Sequence, residues 1–223
     1  MSFVVAIDGP AGTGKGTITK LISKEMGLLN IDTGATYRCV ALYTIQNNIA
    51  LDEKDKIIAS LKNINIDMEN ECGEQTIFLN GKDVTKEIRT MEVTSIVSQI
   101  SSIKEVRFAM VEVQRNLANG KDVIMEGRDI TTYVFPNADV KIYLDADENE
   151  RAKRRYEENK TKGMNTTYEE VLENIRKRDK NDKEKEIGAL KIAEDAIYID
   201  TTKLTIEEVK EKVKNIIEEK RGK

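Results

Sequence analysis

Gly9, Gly14 and Lys15 stand as G-x-x-x-x-G-K, followed by Gly16 and Thr17, directly after the apolar residues 3–7 and before a helix-like run over 18–26. Glycines at this spacing let backbone N–H groups turn toward phosphate oxygens. The helix behind them offers the positive end of its dipole, and the lysine supplies a point charge for β- and γ-phosphates. Gly9, Pro10, Ala11, Gly12, Thr13, Gly14, Lys15, Gly16 and Thr17 therefore read as a loop that grips a nucleoside triphosphate. A tight βα turn that merely needs glycines would not also need the lysine and hydroxyl. A dinucleotide loop is the nearer rival, with Asp32 close to where a ribose-binding acid would sit, but Gly12, Gly14 and Gly16 do not form G-x-G-x-x-G. Gly16 also occupies the place where a Ser or Thr normally holds magnesium, and Thr17 comes one residue late.

Further groups with chemistry lie elsewhere. Asp32-Thr33-Gly34-Ala35-Thr36-Tyr37-Arg38 reads as a short glycine turn at a strand end, with Arg38 one turn inside the next helix. A fixed cation there can dock a second phosphate-bearing molecule; the plainer alternative is a capped helix start with a surface arginine. Gly127-Arg128-Asp129 places a guanidinium and a carboxylate at another strand end, where an ion pair alone would also account for them. Over 168–182, helical spacing puts Val171, Ile175, Arg178 and Asp182 on one stripe. An inward charge is costly unless paired or bound to ligand, so that stripe points to a site. Arg151, Arg154 and Arg155 share a face too, with a solvated, salt-bridged helix as the competing account. Ser98 and Arg107 fall in a helical stretch over 92–118, where periodicity alone assigns only core packing and surface.

These residues need elements to position them. Five apolar runs read as strands, over 3–8, 28–32, 122–126, 140–144 and 196–200, and helical patterns separate most of them. The alternation predicts an α/β fold: a parallel sheet with helices on both faces and functional residues at the carboxyl ends of its strands. Between 61 and 89 the pattern changes to Ile64, Ile66 and Met68 in alternation, then 76–79, Asn80-Gly81 and 82–84, which predicts a small antiparallel insertion turned by Asn-Gly. Residues 147–185 read as a charged helical insertion, and the Lys/Glu mixture at the C-terminus reads as the polar face of a final helix.

With 223 residues, the chain can bury one sizeable core with small inserted lobes. A net charge of −4 disfavours a general grip on nucleic-acid backbones, so a nucleotide partner should be small. Residues 1–11 carry neither a basic run nor a long apolar core, and no segment approaches the roughly 18 apolar residues of a membrane span, so the expectation is a cytoplasmic protein without membrane partners. Cys39 and Cys72 do not make a disulfide framework or zinc site, and the chain has 0 histidines, leaving catalysis to Lys, Arg, Asp and a bound metal.

Taken in order, G-P-A-G-T-G-K-G-T, D-T-G-A-T-Y-R, S-Q-I-S-S-I-K-E-V-R, E-G-R-D-I-T-T-Y-V-F-P-N-A and R-D-K-N-D resemble the bacterial cytidylate kinase family across essentially the whole chain. G-R-D-x-x-T-x-V-F-P and the long insertion after the second strand carry the resemblance most specifically among nucleoside monophosphate kinases, and G-K-G-T is the loop variant of that wider class. The resemblance implies a P-loop NTPase-type five-stranded parallel sheet in a single domain over 1–223. Its core would be 1–32, 92–146 and 186–223, its nucleoside-monophosphate-binding lobe with the β insertion about 33–91, and its helical lid about 147–185. It implies that ATP, bound with Mg2+, phosphorylates CMP or dCMP. By the same resemblance, residues 9–17 and Arg154 hold ATP. Arg38, Arg128, Arg178 and Lys185 would serve the acceptor phosphate and the transferred phosphoryl group, beside Thr33 and Tyr37; Ser98, Arg107 and Asp129 would read cytosine, and Asp182 the sugar hydroxyls. Lys15, Arg128 and Arg178 are the expected catalytic residues.

The chain departs from the family pattern at Lys183, Lys185 and Ala189, where Ser, Arg and Pro are common. Lysine keeps the charge at 185 but lacks the bidentate guanidinium. A UMP or AMP kinase is the alternative within enzymes, and a nucleotide-dependent switch, which would need no acceptor, the alternative outside them. The expected state is a monomer.

Overall fold

In the computed structural model, residues 2–71, 74–161 and 163–222 are described; Cys72 lies outside them. Residues Met1–Val4 with Ser23–Met125 form one compact unit, and Val5–Ile22 with Glu126–Lys223 form another.

Strands β1 (Val4–Asp8), β2 (Leu29–Asp32), β6 (Val123–Gly127), β7 (Val140–Asp145) and β8 (Ile197–Asp200) make a five-stranded sheet in the order β2-β6-β1-β7-β8. All five expected strands form, within one residue of their expected bounds. Val5, Ala6 and Ile7 of β1 and Val123, Ile124 and Met125 of β6 are fully buried, as near-continuous apolar runs must be when both faces of a sheet are covered. The parallel register runs Val5 to Val140 and Ile7 to Ile142 between β1 and β7, and Ile142 to Ile197 between β7 and β8.

In the first unit, α2 (Thr33–Gln46), α3 (Lys54–Ser60), the small sheet β3 (Ile66–Glu71), β4 (Glu74–Leu79) and β5 (Lys82–Asp83), then α4 (Met91–Ile100) and α5 (Lys104–Ala118) follow β2 in the chain. The insertion is antiparallel as its alternation predicts, with order β3-β4-β5. Asn80 and Gly81 turn β4 into β5, at φ 52° and 77°, the paired positive values that suit Asn-Gly. Ile64 lies outside the strand, at the end of a short 3-10 turn. The long helix expected over 92–118 is two helices: the chain leaves α4 at Ser101 and restarts after Ile103.

Helix α1 (Lys15–Met26) begins in the second unit, inside the G-x-x-x-x-G-K motif, with Ile18 N–H donating to Gly14 O at 3.0 Å and Ile18 and Ile22 buried; its residues from Ser23 on belong to the first unit. The charged insertion forms α6 (Glu148–Thr161) and α7 (Tyr168–Glu184), and the chain closes with α8 (Ile206–Arg221). Ala152, Val171 and Ile175 make the buried seam between α6 and α7, flanked by Tyr156, Tyr168 and Leu172. A reciprocal capping box between Thr167 and Glu170 starts α7. Among the described residues no helix is long and apolar enough to cross a membrane.

Candidate active site

Each unit gathers its own set of the expected residues. In the second, the loop over 9–17 wraps its own lysine. Lys15 is 4% exposed, and its Nζ donates to Gly9 O at 2.8 Å, Pro10 O at 2.7 Å and Thr13 Oγ1 at 3.2 Å. Burial, then the Arg128 charge, lowers the ammonium pKa to about 7, against the pull of Glu126, Asp8 and Asp182. Three acceptors around three N–H donors nevertheless suit the charged form.

Asp8, at the end of β1, is fully buried. It accepts from Ile130 N at 2.9 Å, Thr131 N at 2.7 Å and Thr131 Oγ1 at 2.7 Å. Burial raises its pKa while these bonds oppose the rise. The effect is to pin the turn just past Gly127-Arg128-Asp129 to the strand that feeds the phosphate loop. Arg128 Nε donates to Asp182 Oδ2 at 2.8 Å and Lys185 Nζ to Asp182 Oδ1 at 2.9 Å, so one carboxylate joins two expected phosphate-binding cations. Burial disfavours the Asp182 charge, but Arg128 and Lys185 outweigh it and hold the carboxyl at about 2.

That depressed value has a consequence for stability. The unfolded carboxyl titrates near ~3.9, so the stabilisation is present above that pH and is lost as pH falls through about 2. Asp182→Asn should flatten the acid limb of stability between those values, as read from melting temperature against pH. A limb unchanged in slope would remove Asp182 as its source.

Asp129 is buried, and Arg178 is half-buried on α7. The stripe expected on α7 is shifted: Val171, Ile175, Asp179 and Asp182 are the buried residues. Asp179 thus enters the interior one position from Arg178. The arginines of α6 part company. Arg151 is buried, Arg154 donates to Thr201 O at 2.7 Å and Glu150 Oε1 at 3.2 Å, and Arg155 makes an exposed pair with Glu158 at 2.7 Å. A Cβ on Gly16 would stand 2.6 Å from Glu126 Oε1, so the glycine after the lysine leaves room for that carboxylate at the start of α1.

In the first unit, Asp32 is the N-cap of α2 and accepts from Ala35 N at 3.2 Å. Thr33 and Gly34 are already helical, so the expected glycine turn is an Asp-capped helix start; the cap bond makes a turn unnecessary. Thr33 and Tyr37 are buried, and Thr36 Oγ1 donates to Thr33 O at 2.8 Å. Arg38 is held at Ile88 O, 3.1 Å, and Thr94 Oγ1, 2.8 Å. Arg107 is buried with its guanidinium 5.6 Å from the Tyr37 ring centroid. Its Nη1 lies 3.5 Å from Ser101 O, in the break that separates it from the half-buried Ser98 on α4. Cys39 is buried in α2, and burial, with the Asp32 charge, pushes its thiol up to about 12, so it is an inert core residue.

Residues 5–219 match the family described as cytidylate kinase. The chain belongs to the cytidylate kinase family. It is 50% identical to the cytidylate kinase of Caldicellulosiruptor bescii, over 94% of this chain and 92% of that one. It is 47% identical to that of Geobacillus sp. strain WCH70, over 98% and 97% of the two chains. Identity to the Bacillus subtilis cytidylate kinase is 45%, over 97% and 96%. Among solved structures, an uncharacterized protein from Eubacterium ventriosum shares the fold at a TM-score of 0.56 and 11% identity, covering 97% of this chain and 99% of its own. Three groups escaped sequence reasoning in this cytidylate kinase family member: Arg151 as a buried residue, Asp179, and Glu126 against Gly16. Glu126 ended an apolar run and Asp179 stood one turn beyond Ile175, whereas Arg151 lay among charged residues and offered only the face it shares with Arg154 and Arg155.

Proposed function

We propose that the protein transfers the γ-phosphoryl group of MgATP to CMP or dCMP, giving ADP and CDP or dCDP. The observation that carries the reading is the joining of Arg128 and Lys185 through Asp182, in the same unit as the loop whose carbonyls hold Lys15, in a chain half identical to a cytidylate kinase. Phosphoryl transfer asks for two aligned anions and neutralised charge on the moving group, which lysine and arginines supply without a histidine base.

In this reading residues 9–17 and Arg154 hold ATP, whose magnesium arrives on the triphosphate as part of the substrate. Arg38, Arg128, Arg178 and Lys185 hold the acceptor phosphate and the moving phosphoryl group, with Thr33 and Tyr37 beside the acceptor. Ser98, Arg107 and Asp129 read the base, and Asp182 the sugar hydroxyls. Residues 33–91 act as the acceptor lobe and 147–185 as a lid that excludes water. The protein works as a cytoplasmic monomer.

The direct test is product formation, resolved by chromatography, from MgATP with CMP, dCMP, UMP, AMP or GMP and with no acceptor. CDP and dCDP should dominate; ATP hydrolysis indifferent to acceptor would sink the reading. Base choice has its own test. A carboxylate at Asp129 accepts from the amino group of cytosine, whereas uracil presents a carbonyl there and meets an acceptor with an acceptor. Asp129→Asn, which adds a donor, should narrow the CMP-to-UMP ratio of kcat/KM by about 10- to 100-fold. A preserved ratio would assign base choice to other residues.

A further inference from the structure

Both backbone groups of one phosphate-loop residue are taken by an ion pair built from α6 and α7. Ala11 N–H donates to Asp179 Oδ1 at 3.3 Å, and Ala11 O accepts from Arg151 Nη1 at 3.0 Å. The same Nη1 reaches Asp179 Oδ2 at 2.5 Å, and Arg151 Nε donates to Ala146 O at 2.9 Å. Arg151 is 6% and Asp179 9% exposed. Close packing reinforces the bonds: a Cβ on Gly12 would lie 3.1 Å from both Cβ and O of Arg151.

We propose that Asp179, acting with Arg151, is a positioning residue for phosphoryl transfer, holding the phosphate loop in register with the helix that carries Arg178. The inference rests on the reading above, that the loop holds ATP and Arg178 serves the transfer. A buried ion pair is a poor source of stability, because desolvation cancels much of its attraction and well-packed apolar residues serve as well. It is a good source of geometry. The pair fixes the peptide groups on both sides of Ala11, and Asp179 is the chain neighbour of Arg178, so any displacement of α7 relative to Ala11 must break a charge-assisted hydrogen bond. Loop phosphates and the Arg178 guanidinium are thereby referred to one rigid point. Ala11 N–H is also occupied by protein, which leaves binding of phosphate oxygens to the other amides of the loop.

The test uses full-length protein carrying Asp179→Asn, which keeps an acceptor for Ala11 N–H and removes the charge that holds Arg151. A second variant, Arg151→Met with Asp179→Leu, replaces the pair by apolar volume. Folded fraction is measured by thermal unfolding, and kcat and both KM values are normalised to folded protein. Both variants should lose about 10- to 100-fold in kcat, the cost of about 1 Å of misplacement, with the KM for CMP within about twofold of the parent. If kcat per folded molecule stays within about twofold in either variant, the pair only holds the lid together and the proposal is overturned. Failure of the underlying reading looks different: the parent protein would then show no acceptor-dependent transfer, and Lys15→Ala would change nothing.

Discussion

Arg178→Ala is expected to lower turnover by about 1,000-fold while MgATP affinity stays within about threefold, the pattern of an interaction made chiefly in the transition state. Arg178 is half-buried on α7, one residue before the buried Asp179 and one turn before Asp182. Its helix is held at both ends of that turn, by Asp179 to Ala11 and by Asp182 to Arg128 and Lys185. A guanidinium on such a mount costs little to reorganise when charge moves onto the transferring group. Arg178→Lys should recover part of the loss, since it restores charge but not two-pronged donation. Steady-state kinetics with CMP varied at saturating MgATP, together with equilibrium titration of nucleotide, decides the matter. Unchanged turnover in Arg178→Ala would take the residue out of the reaction.

The second large effect concerns stability. Gly9→Ala should destabilise the protein by about 2–6 kcal/mol, the sum of backbone strain and forced overpacking. Gly9 sits at φ +152°, and an added Cβ would stand 2.0 Å from Leu144 O, a backbone atom of β7 that cannot swing aside. The carbonyl of Gly9 is also an acceptor for Lys15, so moving it disturbs the lysine as well. Thermal unfolding provides the check, with a loss of roughly 4–24 °C expected for a chain of this size. A melting temperature within about 2 °C of the parent would mean that β1 and β7 can part at this point without cost.

How far the chain announced this site varies residue by residue. The strand, glycine loop and helix around Gly9 to Lys15 were legible because such a unit is a local device: its glycines, lysine and following helix lie within one short segment. The five strands were legible because burial on both faces demands unbroken apolar runs, and Asn80-Gly81 because the turn demands two positive φ values. The break at Ser101 was not legible, since 92–118 keeps a helical pattern through it and the chain bends there to satisfy packing that no local propensity records.

The charged residues divide on the same principle. The amino-acid order alone determined the sheet, the antiparallel insertion, the charged helical insertion and the family, because periodicity and short motifs are properties of neighbouring residues. It also marked Asp182 as an inward charge. Only the tertiary structure decided which charges meet: that Asp182 joins Arg128 to Lys185, that Arg151 turns inward while Arg155 stays outside, and that Asp179 caps Ala11 from a position 168 residues away. A helical repeat says which way a side chain faces. The partner that makes burying a charge tolerable comes from another segment, and folding alone brings the two together.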